Sequence, residues 1–223
     1  MEMLFKNKNI VVIYKPSGMP SQSDISGDPD AMTLTSSELK KNGDASALWL
    51  IHRLDRTVGG LLVFARNKNT AARLSELVGG NGMEKEYVAV VDGKADGGFL
   101  SDFIYKDSAK GKAFIAKSER RGVKKAELEY TGIASYNTES GVKTLVRIKL
   151  YTGRFHQIRV QFASRGIPIT GDGKYGSRDN NAKTPALFAF HLAFNMQGEA
   201  VDIKKLPDAD KYPWSLFDME KIK

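Results

Sequence analysis

The 223-residue chain has no cysteine, only three histidines, and no apolar run approaching the ~20 residues that a membrane-spanning helix needs. The missing cysteines exclude a disulfide scaffold, a thiol nucleophile and any thiolate-bound zinc. The histidines (His52, His156 and His191) are scattered along the sequence, which argues against an all-imidazole metal site, so no metal is expected. The longest apolar runs, 10–14 and 61–65, are strand-sized. The first eight residues mix Glu2 with Lys6 and Lys8 and lead into no signal-peptide core. With 21 Gly and 7 Pro the chain is too poor in both to be disordered or collagen-like. The expectation is a soluble, cytoplasmic globular protein with no membrane partner.

What is present is positive charge. Thirty-four Lys and Arg against 26 Asp and Glu leave a net +8, with a sequence pI near 9.5. An excess of this size favours polyanionic partners, nucleic acid ahead of a membrane surface. It is spread along the chain rather than gathered in a tail, and so belongs to a folded surface.

Hydrophobic patterning predicts a mixed α and β domain with more strand than helix. Strands are expected at 9–14, 61–65, 84–91, 126–136, 143–151 and 186–194. In the 143–151 strand, Val146, Ile148 and Leu150 face one way and Arg147 and Lys149 the other. Helical spacing predicts helices near 33–40, over 69–78 and over 155–164, the last with Phe155, Ile158 and Phe162 on one stripe. Residues 17–47 read as a long polar loop. Residues 97–125, carrying Lys106, Lys110, Lys112, Lys117, Arg120, Arg121, Lys124 and Lys125, read as a basic hairpin. No repeat or linker stands out, and a single domain over 1–223 is expected.

Two short patterns are decoys. Gly171–Gly176 fits the G-x-G-x-x-G dinucleotide fingerprint, but loop-forming residues follow it where a helix is required, so it reads as a glycine-rich turn. Ser37–Lys40 fits S-x-x-K without its companion motifs. Taken singly, the other polar residues are equally bland. Asp55 reads as a turn aspartate, Arg154 and Arg159 as a solvated helix face, Tyr87 as core packing and His52 as a structural donor.

Their combination is not bland. Tyr14-Lys-Pro-Ser-Gly18 is followed by His52-Arg-Leu-Asp55 and Gly60-Leu-Leu-Val-Phe-Ala65. Then come Glu84-Lys-Glu-Tyr87, Gly153-Arg-Phe-His-Gln-Ile-Arg-Val160 and Gly166-Ile-Pro-Ile-Thr-Gly-Asp172 with Tyr175-Gly176. In order and spacing these elements resemble the RluA-type family of RNA pseudouridine synthases over most of the chain, from Val11 to Phe194. That family usually has Thr-Ser-Gly where this chain has Val58-Gly59-Gly60. The chain starts almost at the catalytic motifs, so no S4-type RNA-binding domain is expected ahead of them.

The resemblance implies an α+β fold: a mixed, mostly antiparallel central sheet flanked by helices and loops, with an active-site cleft on the sheet. It also implies isomerisation of specific uridines in ribosomal or transfer RNA to pseudouridine, with base flipping and no cofactor. In that reading Asp55 is the nucleophile, Arg159 its arginine partner and Tyr87 the aromatic residue against the target base. Arg53 enters the space the flipped base leaves, and His52, Arg154, His156 and Gln157 line the RNA-binding cleft. A buried carboxylate tends towards its neutral form, and an opposed guanidinium keeps it ionised for attack. A monomer is the default. Two other readings stay open on residues alone. One is a silent RNA-binding domain. The other is a glycoside-type hydrolase, which would need a second acid, and the sequence nominates none clearly because Asp172 reads as part of a turn.

Overall fold

The computed structural model describes residues 1–80, 82–196 and 198–222. It resolves into two compact units, each made of two chain segments. The first comprises Met1–Lys85 and Ala189–Lys205, the second Glu86–Phe188 and Leu206–Lys223.

The first unit is built on β1 (Met3–Lys6), β2 (Ile10–Lys15), β4 (Gly59–Ala65) and β10 (Leu187–Met196), in the order β1-β2-β4-β10. The two-residue β3 (Trp49–Leu50) pairs with β4, and β11 (Glu199–Lys204) with β10. Strands β2 and β4 run antiparallel from Ile10↔Ala65 to Lys15↔Gly60. Ile10–Ile13 and Leu62–Ala65 are wholly buried. Such unbroken apolar runs form strands covered on both faces, which is why they show no alternation. Helices α1 (Ala31–Lys41) and α2 (Lys68–Gly79) each begin at a side-chain cap. The Asp30 carboxylate accepts from Thr33 N at 2.9 Å and the Asn67 carbonyl from Thr70 N at 2.9 Å. Leu74 of α2 joins Ile10, Val12, Leu61, Val63, Leu192 and Phe194 in the unit's core.

The second unit is an antiparallel array, β5-β9-β8-β6-β7. Its strands are β5 (Met83–Asp92), β6 (Gly97–Asp107), β7 (Lys112–Ala116), β8 (Val123–Thr138) and β9 (Gly141–Leu150). The basic segment is the expected hairpin, with Tyr105 opposite Phe114 across β6 and β7. Helix α3 (Gln157–Ser164) packs against this hairpin, its Val160 in a cluster with Ile104, Ala113, Ala126 and Tyr175. The mainly antiparallel α+β character agrees with the sequence reading.

Three features differ from expectation. Strands β1, β3 and β11 have no counterpart among the expected strands; all three are short, and β1 and β11 include charged residues. Helix α3 starts at Gln157 rather than Phe155, because His156 has a left-handed backbone (φ 52°) that no helix continues through. Gln157–Phe162 are all buried, so the helix has no solvated face and Arg159 is only 5% exposed. Among the described residues, no helix is long and apolar enough to cross a membrane.

Candidate active site

In the first unit, the loop carrying His52, Arg53 and Asp55 follows β3 and leads into β4. Asp55 is half-buried at the start of a turn closed by Val58 N–H on Asp55 O, at 2.9 Å. The segment after β2 grips this turn through its backbone. The ammonium of Lys15 is fully buried and donates to the carbonyls of Met19 (2.7 Å), Pro16 (3.0 Å) and Arg56 (3.3 Å). Ser17 donates to Thr57 O at 2.6 Å, and Gly18 N–H to Arg56 O at 2.8 Å. The Ser21 hydroxyl both donates to Leu54 O (2.9 Å) and accepts from Leu54 N (3.1 Å).

Lys15 thus brings a positive charge under Asp55. Burial pushes its ammonium pKa down to about 8, against the Asp55 carboxylate, which favours the charged form; Arg56 works with burial. The sequence alone assigns this lysine no role, since a lysine at a strand end ordinarily reaches solvent.

Where the family usually has Thr-Ser, Val58 is a core residue, 2% exposed, and Gly59 is the first residue of β4. The hydroxyls that hold the loop come instead from Ser17 and Ser21. Gly60 has φ 130°, and a Cβ there would lie 2.3 Å from Ala189 O, so only glycine admits β10 at this distance. Arg53 is exposed. The His52 Nε2 accepts from Val63 N at 3.4 Å. Burial, assisted by the Lys85 charge, drives the His52 pKa down to about 3, so its ring is neutral near pH 7.

In the second unit, Tyr87 is buried on β5 opposite Ile148 of β9. Arg159 is held by a forked ion pair to Asp172: Nε to Oδ2 at 2.6 Å and Nη2 to Oδ1 at 2.8 Å, with Asp172 only 1% exposed. This contact engages two of the guanidinium's five N–H groups. Taken alone Arg159 reads as part of a solvated helix face; the structure buries it instead. The turn aspartate the sequence set aside is a buried partner at the N-terminus of the 3-10 turn Gly173–Tyr175.

A chain of hydrogen bonds joins the hairpin to the start of α3. Ala113 N donates to the Tyr175 hydroxyl at 2.7 Å, and that hydroxyl is hydrogen-bonded to His156 Nδ1 at 2.9 Å. Burial first, then the charges of Arg159 and Lys174, lower the His156 pKa to about 3. The His156 ring stacks on Phe155 with centroids 3.8 Å apart. Gln157 is enclosed: its carbonyl accepts from Thr152 (2.7 Å) and Arg154 N (3.0 Å), and its amide donates to Glu127 O (3.1 Å). It holds the 152–154 turn, from which Arg154 reaches Lys125 O at 2.8 Å. The expected cleft residues therefore split: His52, Arg53 and Asp55 share one loop of the first unit, while Arg154, His156, Gln157 and Arg159 cluster at α3 in the second. Among the described residues, no group of three His, Cys, Asp or Glu side chains is disposed to hold a metal ion.

The family model described as RNA pseudouridylate synthase matches residues 9–164. The chain belongs to the RNA pseudouridylate synthase family. An uncharacterized RNA pseudouridine synthase of Aquifex aeolicus (strain VF5) is 31% identical over 209 residues, covering 87% of this chain and 65% of the relative. Ribosomal large subunit pseudouridine synthase D of Borreliella burgdorferi is 30% identical over 189 residues, covering 81% and 56% respectively. The chain thus spans about two thirds or less of these relatives' lengths. The structure of human RNA pseudouridylate synthase domain containing 4 matches with a TM-score of 0.73 at 25% identity, over 92% of this chain and 88% of that one. The corresponding domain containing 1 gives 0.75 at 22% identity, over 93% and 83%, and supports the fold.

Proposed function

We propose that this chain is an RNA pseudouridine synthase acting on uridine in ribosomal RNA, with Asp55 as nucleophile. The reaction breaks the N1–C1′ bond, turns the uracil and joins C5 to C1′; the C5 proton leaves to solvent and N1 gains one. It is an isomerisation and needs no net oxidant or reductant. The observation that carries the reading is the Asp55 turn, pinned through the carbonyls of Leu54, Arg56 and Thr57 by Ser21, Lys15 and Ser17. Fixing the main chain on both sides of the carboxylate holds it ready for attack before substrate arrives. The neighbouring Lys15 charge favours its ionised form.

Tyr87 stacks on the flipped uracil, and Arg159, its fork held by Asp172, is the arginine that the family resemblance assigns to the nucleophile. Exposed Arg53 fills the vacated stack, and Arg154 contacts the RNA backbone. His52 and Gln157, both engaged with main-chain groups, serve as supports, and His156 lines the RNA-binding cleft. Extruding the uridine costs a few kcal/mol, offset by stacking of ~1–3 kcal/mol on an aromatic side chain. Transfer RNA is the second substrate pool in this reading, and a cytoplasmic monomer the expected state.

The test is tritium release from ribosomal and transfer RNA transcripts labelled at uridine C5, with RNA mass followed in parallel. Release with unchanged RNA mass is expected from the ribosomal pool. Free uracil or an abasic strand would identify a hydrolase instead. Tight binding with no release from either pool would identify a silent RNA-binding domain.

A further inference from the structure

The basic hairpin has two faces of different character. Along β6, Leu100 and Ile104 point into the core, while Phe99, Ser101, Phe103 and Tyr105 alternate onto the opposite, outward face. Across the ladder Phe114 of β7 stands opposite Tyr105, and their rings stack with centroids 5.5 Å apart and 22° between planes. Both rings are half-exposed. Three cations surround the pair. The Arg120 guanidinium lies 5.9 Å from the Tyr105 ring centre, and the ammoniums of Lys110 and Lys112 lie 5.6 and 5.7 Å from that of Phe114. The other end of the same face differs: Phe99 and Ser101 sit opposite Glu129 and Glu127 of β8. The base of the face carries paired charges, with Lys125 Nζ 2.6 Å from Glu127, whereas the hairpin tip is aromatic and cationic. The nearest acid at the tip, Asp107, has Lys110 Nζ at 3.9 Å.

We propose that the Tyr105–Phe114 end of this face binds an unpaired stretch of the substrate RNA. Nucleobases pack on the two rings, and phosphates exchange for the rings as partners of Lys110, Lys112 and Arg120. A strand surface bearing half-exposed aromatics with interleaved cations is what single-stranded RNA needs, because every base offers a π-face and every nucleotide a phosphate. A folded protein core has no use for three cations on one aromatic pair. This inference deepens the RNA reading above, since it names the form of RNA and where it rests.

The test measures binding of a fluorescent single-stranded oligouridylate of about twelve nucleotides, within single-strand site sizes. A duplex of equal length serves as competitor. Tyr105→Leu and Phe114→Leu keep apolar bulk and remove the π-face; each is expected to weaken binding roughly tenfold, as loss of one base–aromatic stack does. The exposed Arg120→Gln covers the case in which a ring variant fails to fold, and should weaken binding severalfold. Lys110→Gln with Lys112→Gln should lower the slope of log affinity against log salt by about 0.7 for each phosphate that is no longer neutralised. The surface control Lys40→Gln should change nothing. Wild-type affinity in the ring variants, or a duplex that competes as well as the single strand, would overturn the proposal. In the tritium assay the ring variants should raise KM and leave kcat intact. If wild type releases no tritium, the catalytic reading fails while the oligonucleotide arm still decides this one.

Discussion

The Asp55 loop and the Arg159 helix are fastened by different chemistry. Around Asp55 the fastening is side chain to backbone: Lys15, Ser17 and Ser21 bond carbonyls of residues 54–57, whatever side chains those residues carry. Around Arg159 it is side chain to side chain, with ions paired out of water. Asp172 forks onto Arg159, and in the same unit Lys143, 2% exposed, bonds Asp92 at 2.6 Å and Asp179 at 2.7 Å. Desolvation lowers the Lys143 pKa, yet bonds to Asp179 and Asp92 outweigh it and hold the pKa above its ordinary value. Thr170 and Ser177 complete the Asp92 shell at 2.7 and 2.6 Å, which fixes both ends of the 170–177 segment that carries Asp172. A backbone grip tolerates sequence change in the loop it holds; a buried ion pair tolerates no change in either partner. The two regions should therefore respond differently to mutation.

The largest expected effect is on the ionic side. Asp172→Ala leaves the Arg159 charge buried without this partner and should cost about 3–5 kcal/mol of unfolding free energy, measured by denaturant titration. Adding Arg159→Met to Asp172→Ala should recover most of that loss, because no buried charge then remains. A loss below about 1 kcal/mol would mean that water reaches the pair. On the other side, Lys15→Met leaves three carbonyls without their donor while removing one buried charge. It should cost about 1–3 kcal/mol and abolish turnover under conditions where the protein stays folded.

A smaller effect links the two regions through pH. His52 and His156 both have folded pKa values of about 3, below the ordinary 6.5, so the unfolded chain binds protons that the folded one refuses. Stability is intact above pH 6.5 and falls as pH drops towards 3, by up to ~1.4 kcal/mol per pH unit for each histidine. Denaturation midpoints at pH 7.5, 6 and 5 check this, and His52→Gln or His156→Gln should each flatten the decline. The smallest effect is at the rim. Arg56 reaches Asp28 and Asp24 on exposed side chains, and Asp28→Ala should leave stability unchanged within error.

Much of this architecture was legible in the sequence. Strands such as 10–15 and 59–65 declare themselves because continuous β-branched and apolar runs have few other ways to be buried. Helix 68–79 shows its helical spacing, whereas its Asn67 cap emerges only in the structure. The site was legible as a set of motifs, and its fastenings were not. Periodicity could not reveal Arg159 as buried, because α3 is enclosed on every side and has no polar stripe to contrast with. Asp172 stood among glycines and read as a turn, which it also is; its second role depends on an arginine brought to it by the fold. Lys15 has no role legible in the sequence, because its ammonium is enclosed only when the 16–19 segment and the returning 54–57 turn bring it the carbonyls of Pro16, Met19 and Arg56.

The measurement that bears most directly on the account is tritium release by Asp55→Asn, made on a preparation whose stability and RNA affinity are measured alongside. The account predicts that release disappears while unfolding free energy and RNA affinity stay at wild-type values, since the loop is held through its backbone and not through that carboxylate. Substantial turnover by the variant would contradict it and remove Asp55 from the chemistry.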